Sequence, residues 1–151
     1  MSEITVIETT EPWQRAGVYY VRTEGMVKGF NIPLDVEFED DGENREYSLL
    51  LIDGFPTATC RVKILDAQTG KIERVCVLES QRGKGVGKRL ILETERRLKS
   101  RNVNKIIIFS RDAAVGFYEK LGYKADWTNT KDGFFKEVHT EKILEDGSYA
   151  I

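Results

Sequence analysis

The stretch Val75-Cys76-Val77-Leu78-Glu79-Ser80-Gln81-Arg82-Gly83-Lys84-Gly85-Val86-Gly87-Lys88-Arg89-Leu90 decides how the chain is read. Its first four residues are apolar without alternation, the pattern of a central strand covered on both faces. From Gly87 to Lys99, Leu90, Ile91, Thr94 and Leu98 fall on one helical stripe, while Lys88, Arg89, Glu95, Arg96 and Arg97 fall largely elsewhere. Between strand and helix stand three glycines at alternate positions, Gly83, Gly85 and Gly87. Glycines there let consecutive backbone amides converge without Cβ obstruction, at the positive end of a helix. Arg82, Lys84, Lys88 and Arg89 surround the turn with charge suited to phosphate oxygens.

Spacing separates the anion sites this turn could be. A Walker A loop needs G-x-x-x-x-G-K-[ST]; Gly87-Lys88 supplies its end, but Arg82 stands five before Gly87 and Arg89 follows Lys88. A Rossmann turn needs G-x-G-x-x-G near the start of a βαβ unit, whereas this turn reads G-x-G-x-G and follows a meander. A basic glycine-rich turn without a ligand is the remaining alternative.

Working outward, Lys105 to Ser110 carries Ile106-Ile107-Ile108-Phe109, a second apolar strand, which makes a βαβ unit with a parallel crossover. Upstream, Ser48–Ile52 and Thr57–Leu65 flank Asp53-Gly54, a hairpin signal, and Ile72–Leu78 follows the turn Asp66–Gly70 as the third strand of a meander. Downstream, a helix over Ala113–Leu121 should stop at Gly122, and Tyr123–Trp127 and Val138–Leu144 can close the sheet as antiparallel strands. At the start, Ile4–Ile7 reads as a strand; Thr9 or Thr10 can cap a helix that accommodates Pro12 and runs through Val18 and Val21 toward Met26. From Asn31 to Arg45, Pro33 and the acids Asp35, Glu37, Glu39, Asp40, Asp41 and Glu43 read as a loop or a short broken helix.

The bulk properties bound the function. With 151 residues, 40% of them hydrophobic, one domain over residues 1–151 is expected. Lys and Arg number 23 against 25 Asp and Glu, a net charge of -2, so no global positive field draws a nucleic acid and any phosphate binding is local. No apolar run is long enough to span a bilayer, and Met1-Ser2-Glu3-Ile4 has neither a basic nor an apolar leader region, so a cytosolic protein is expected, without membrane partner. Cys60 and Cys76 read as buried reduced thiols, and the lone His139 argues against a multi-histidine metal site, so no metal is expected.

The quoted stretch resembles motif A of the GNAT acetyltransferases, whose signature [RQ]-x-x-G-x-[GA] is met by Arg82, Gly85 and Gly87. About thirty residues on, Phe117-Tyr118-Glu119-Lys120-Leu121-Gly122-Tyr123 is similar to the F-Y-x-x-x-G-[FY] segment of the same family. The resemblance covers nearly the whole chain, and a narrower likeness to the small bacterial YjcF-like branch lies in Val21-Arg22-Thr23-Glu24, Asn31-Ile32-Pro33 and Val138-His139. This chain departs from that branch at Gly29-Phe30 and at Phe109-Ser110-Arg111, so no relative's substrate transfers to it.

The resemblance implies an α/β (α+β) GNAT fold: a mixed, mostly antiparallel central sheet whose parallel βαβ unit forms a V-shaped acyl-CoA cleft. It implies acetyl-CoA as cosubstrate, pantetheine bonded to the main chain of Val75 and Val77, and the pyrophosphate held by Arg82, Gly83, Lys84, Gly85, Val86 and Gly87. A primary amine of a small molecule or peptide would attack the thioester directly. Such a reaction needs a deprotonated amine and a proton for the departing thiolate. Tyr118 matches the family's acid; the alternative is a packed core tyrosine. Glu73, sharing a strand face with Val75 and Val77 at period two, is the candidate base; the alternatives are a solvated carboxylate or relayed water. His139 either faces the substrate or is a half-exposed strand residue. The acid run either attracts a cationic amine or is a solvated loop. Cys76 is aimed away from the cofactor face. A noncatalytic acyl-CoA sensor of the same fold is the competing function, nucleotide binding a third, and a homodimer is one assembly open to the chain.

Overall fold

The computed structural model describes residues 2–42 and 44–144. In chain order the elements are β1 (Ile4–Glu8), α1 (Pro12–Arg22) running on as a π-helical segment (Thr23–Lys28), α2 (Leu34–Glu37), β2 (Glu46–Ile52), β3 (Phe55–Ile64) and β4 (Thr69–Val77). A 3₁₀ turn (Glu79–Gln81) leads to α3 (Val86–Ser100) and β5 (Lys105–Arg111); a second (Asp112–Ala114) leads to α4 (Val115–Lys120), β6 (Lys124–Lys131) and β7 (Glu137–Ile143). The sheet has seven strands in the order β1-β2-β3-β4-β5-β7-β6. The pairs β1·β2, β2·β3, β5·β7 and β6·β7 are antiparallel, and β4·β5 is parallel over Thr69–Lys71 against Lys105–Ile107. This is the mixed α+β sheet expected; β4–α3–β5 is one crossover, and β5–α4–β6, whose strands flank β7, is another. No helix among the described residues is long and apolar enough to cross a membrane.

The chain divides into two compact units, the first comprising residues up to Val62 with Arg74–Thr94, the second Lys63–Glu73 with the described chain from Glu95. In the first unit the β2–β3 hairpin closes through Asp53 (φ 50) and Gly54 (φ 82), the left-handed pair that a type I′ turn demands. Val18, Tyr47, Leu49 and Leu51 form one apolar cluster, joined by Ile7 and Tyr19. Leu90, Ile91 and Thr94 of α3 are buried, and Thr94 Oγ1 bonds the Leu90 carbonyl and Ser48 Oγ, each at 2.8 Å. Helix α1 is capped at Glu11 instead of Thr9 or Thr10: Gln14 Oε1 accepts from the amides of Thr10 (2.6 Å) and Glu11 (2.8 Å). A long acceptor three residues into the helix reaches back to amides that threonine hydroxyls two residues earlier cannot serve.

In the second unit β5 alternates, sending Ile106, Ile108 and Ser110 inward while Ile107, Phe109 and Arg111 stay half-buried on the other face. Gly70 packs against Val103 and Leu98, and the amide of Asn104 bonds the Gln68 carbonyl at 2.9 Å. Glu95, read from the sequence as outside the buried stripe of α3, is fully buried. Its carboxylate accepts from Tyr123 Oη at 2.7 Å and Lys142 Nζ at 2.8 Å, so the charge goes inside with partners that satisfy it. Gly122 (φ 100) ends α4 as expected. Strand β6 runs on to Lys131, past the expected Trp127, because the ladder with β7 resumes at Thr130↔Val138 after a register shift beyond Asp126.

Candidate functional site

The glycine turn lies in the first unit. Gly83 (φ 76) and Gly85 (φ 80) are both left-handed, and a Cβ built on either would meet nothing within 4 Å. The backbone there is curled for glycine only and open to a ligand. The amide of Arg89 already bonds the Gly85 carbonyl at 3.1 Å, while the amides of Val86, Gly87 and Lys88 precede the first intrahelical donor and point out of the 15-residue helix α3. Val86 is buried at 4% exposure and anchors the turn; Arg82, Lys84, Lys88 and Arg89 stay exposed around it. Arg82 Nε donates to the Val77 carbonyl at 3.0 Å, tying the turn to the end of β4. Backbone donors, exposed cations and open space together fit a diphosphate.

Val75 and Val77 are half-buried on β4, and Cys76 between them is buried, its Sγ donating to the Val21 carbonyl at 3.5 Å. The thiol thus points to the helix side, as alternation required. Arg74 is left-handed (φ 53), so alternation along β4 does not run through from Glu73 to Val75. Nothing in the local composition signals this kink.

Three residues of the acid run are held in ion pairs instead of being left to solvent. Arg22, fully buried, donates through Nε to Glu37 Oε2 (2.8 Å) and through Nη1 to Asp41 Oδ1 (3.0 Å). Arg61 binds Asp40 Oδ2 (3.0 Å) and Asp41 Oδ1 (3.1 Å), Arg74 reaches Asp40 at 3.6 Å, and the Tyr47 hydroxyl donates to Asp41. The Arg61 bond holds the Asp40 carboxyl down at about 2. Burial pushes Asp41 up, but donation from Tyr47 and Arg22 outweighs it and leaves that carboxyl below its ordinary value. Glu37, Asp40 and Asp41 are thus engaged by arginines, which corrects the solvated-loop reading for these three, while Asp35 and Glu39 are exposed. Glu43 lies outside the described residues.

Tyr118 sits on α4 in the second unit at 6% exposure, between the rings of Phe117 (5.0 Å) and Tyr123 (5.9 Å). Glu73 is half-buried, with Oε2 3.9 Å from Lys71 Nζ. His139 is half-buried on β7, opposite Phe109, whose ring it meets edge-on at 5.2 Å and 83°. The sequence reading missed Lys71 and Lys131, whose ammonium groups stand over that same Phe109 ring at 5.4 Å and 3.9 Å. Strand pairing brings them there from positions 60 residues apart, so no local pattern marks them.

A seven-stranded mixed sheet in which β4 hands a glycine-rich turn to α3 is a fold that solved N-acetyltransferases share. The sequence profile of the acetyltransferase (GNAT) family matches residues 2–123. The uncharacterized N-acetyltransferase YjcF of Bacillus subtilis (strain 168) is 35% identical over 112 residues, 74% of this chain and 79% of that one. The crystal structure of a putative N-acetyltransferase from Lactobacillus plantarum superposes with a TM-score of 0.87 at 28% identity, covering 94% of this chain and 99% of the other. The PaiA N-acetyltransferase of Thermoplasma acidophilum, in complex with coenzyme A, shares the fold with a TM-score of 0.73 at 16% identity, covering 94% and 99%. The chain belongs to the GNAT acetyltransferase family, on the YjcF-like branch, and is an N-acetyltransferase. Enzymes of this family use acetyl-CoA and act on amines.

Proposed function

We propose that the chain works as one catalytic domain that transfers an acetyl group from acetyl-CoA to a primary amine of a small molecule or peptide by direct attack. The observation that carries the reading is the left-handed, unobstructed Gly83–Gly85 turn feeding the start of α3. The coenzyme A held by the PaiA relative supports the same ligand here. Arg82 to Gly87 bind the diphosphate through main-chain amides and flanking cations, and the main chain of Val75 and Val77 orients the pantetheine arm. Bound acetyl-CoA supplies an acyl group already activated as a thioester.

As the C–N bond forms and the C–S bond breaks, two protons must move. Glu73 takes the proton from the attacking amine, and the Tyr118 hydroxyl gives one to the departing sulfur. A cytosolic setting is supported by two buried cysteines that form no disulfide, Cys60 and Cys76. Titration with acetyl-CoA followed by thermal unfolding tests the cosubstrate: at ~100 times the dissociation constant it should add roughly 2.7 kcal/mol. Release of free CoA thiol across an amine panel tests the transfer. No stabilisation by acetyl-CoA, or stabilisation without thiol release from any amine, overturns the proposal.

A further inference from the structure

Tyr118 sits on a helix too short to fix its own position. Helix α4 has 6 residues, and a helix of fewer than two turns is held by its surroundings more than by its own hydrogen bonds. At its end the Tyr118 carbonyl accepts from the amides of Leu121 (3.0 Å) and Tyr123 (3.1 Å), and the Tyr118 ring meets the Tyr123 ring edge-on at 5.9 Å and 75°. Phe117, which also meets the Tyr118 ring, belongs to α4 itself and is 39% exposed, whereas Tyr123 is 2% exposed. Of the two, Tyr123 is the fixed neighbour.

What fixes Tyr123 is a buried ion pair that the transfer reaction does not use. Tyr123 Oη donates to Glu95 Oε2 at 2.7 Å and Lys142 Nζ to Glu95 Oε1 at 2.8 Å, so each oxygen of the buried carboxylate takes a partner. The Lys142 ammonium stands 5.7 Å from the centre of the Tyr123 ring, and its stem crosses Gly122, where a Cβ would come within 3.3 Å of Lys142 Cε. Helix α3, strand β7 and the turn after α4 are thereby tied at one point. A buried ion pair is often no more stable than apolar side chains of the same volume, and phenylalanine would fill the space of the Tyr123 ring. What the polar cluster adds is direction. A charge-assisted bond sets where the ring stands, which an apolar contact leaves loose.

We infer that Glu95 is a positioning residue for acetyl transfer: it anchors the Tyr123 hydroxyl, and the Tyr123 ring and amide keep Tyr118 where its hydroxyl can give up a proton, a reading that rests on the general-acid role proposed for Tyr118. Glu95 acts only through Tyr123. Misplacing a reacting group by about 1 Å costs up to about a hundredfold in rate, so loosening the anchor by one hydrogen bond should cost about tenfold.

A double-mutant cycle on kcat tests this, with rates taken well below each variant's unfolding temperature. Y123F removes the hydroxyl, keeps the ring and leaves the Glu95–Lys142 pair intact. With Tyr118 present, Y123F should lower kcat by about tenfold and leave the KM for acetyl-CoA within error. In the Y118F background there is no acid left to position, and the same change should alter kcat by less than about twofold. E95Q offers one acceptor oxygen to two donors and should repeat the pattern with a smaller first loss; it takes the place of Y123F in the cycle if Y123F does not fold.

With Y118F slow, a wild-type kcat in Y123F, a loss of equal size with and without Tyr118, or a loss carried by KM alone makes Glu95 a packing residue and overturns the inference, while the acid role of Tyr118 stands. A wild-type kcat in Y118F overturns the acid role and the inference with it. If no amine is acetylated by the wild type, the transfer reaction falls first and takes both with it.

Discussion

Arg22 Nε donates to Glu37 Oε2 across 2.8 Å, with the two side chains 0% and 3% exposed. The pair pins α2 to α1, and the same guanidinium stacks 4.5 Å over Phe38 and bonds Asp41. An isolated buried charge is costly, so each partner is needed by the others. R22M keeps most of the volume but strands the Glu37 carboxylate and removes one of the donors to Asp41, which keeps Arg61 and Tyr47. Its unfolding midpoint in urea should drop by the equivalent of about 3–5 kcal/mol. A loss under about 1 kcal/mol would mean that Glu37 escapes to solvent without cost.

The same cluster sets acid stability. Asp40, ordinarily near 3.8, is held at about 2 by its bond from Arg61, and Asp41 is lowered as well. A carboxyl whose folded value is depressed contributes stability that is fully present above the unfolded value and is lost as pH falls through the folded one. The thermal midpoint should therefore decline between about pH 4 and pH 2. D40N should lie below wild type at neutral pH and show a shallower decline, with Asp41's share remaining. Asp40 is 45% exposed, so solvent screening keeps its share small. Parallel curves for D40N and wild type would contradict the assignment.

Gly25, in the π-helical segment after α1, lies where a Cβ would run into Cys76 Sγ. G25A should destabilise by roughly 1–3 kcal/mol through overpacking. Removing the sulfur makes room, so G25A/C76A should be more stable than the two single losses predict by addition. Strict additivity in chemical denaturation would show that the two residues are not in contact.

How much of this was legible beforehand depended on distance along the chain. Asp53-Gly54, Gly122 and the Gly83–Gly87 turn were readable because the glycine and its neighbours dictate the backbone locally. The stripe Leu90, Ile91, Thr94 and Leu98 was readable from period alone. Glu95 was not, since its burial depends on Tyr123 and Lys142, 28 and 47 residues away. The acid run looked like a solvated block because its neutralising arginines, Arg22, Arg61 and Arg74, come from three other elements. The left-handed Arg74 and the π continuation of α1 carry no compositional mark at all.

Gly85 tests the diphosphate turn. An alanine there meets no atom within 4 Å, so any penalty comes from its φ of 80 and from methyl volume on the ligand side. The left-handed backbone costs an L-residue roughly 1–2 kcal/mol. G85A should unfold at a modestly lower temperature and show a KM for acetyl-CoA raised by about tenfold or more, as amides turn away from the anion. An unchanged KM would remove Gly85 from the binding turn.

Tyr118 tests the chemistry. Its ring is held edge-on by Phe117 at 5.0 Å and Tyr123 at 5.9 Å, contacts that phenylalanine keeps. Y118F therefore removes the hydroxyl and little else, and the protein should fold and bind acetyl-CoA as before. A general acid contributes about 10²–10⁴-fold to rate, so kcat should fall by about a hundredfold or more while KM for acetyl-CoA stays within error. The effect belongs to proton delivery, so acceptors should all slow by a similar factor. If Y118F turns over at the wild-type rate, the proton for the departing sulfur comes from elsewhere and Tyr118 is a packing residue.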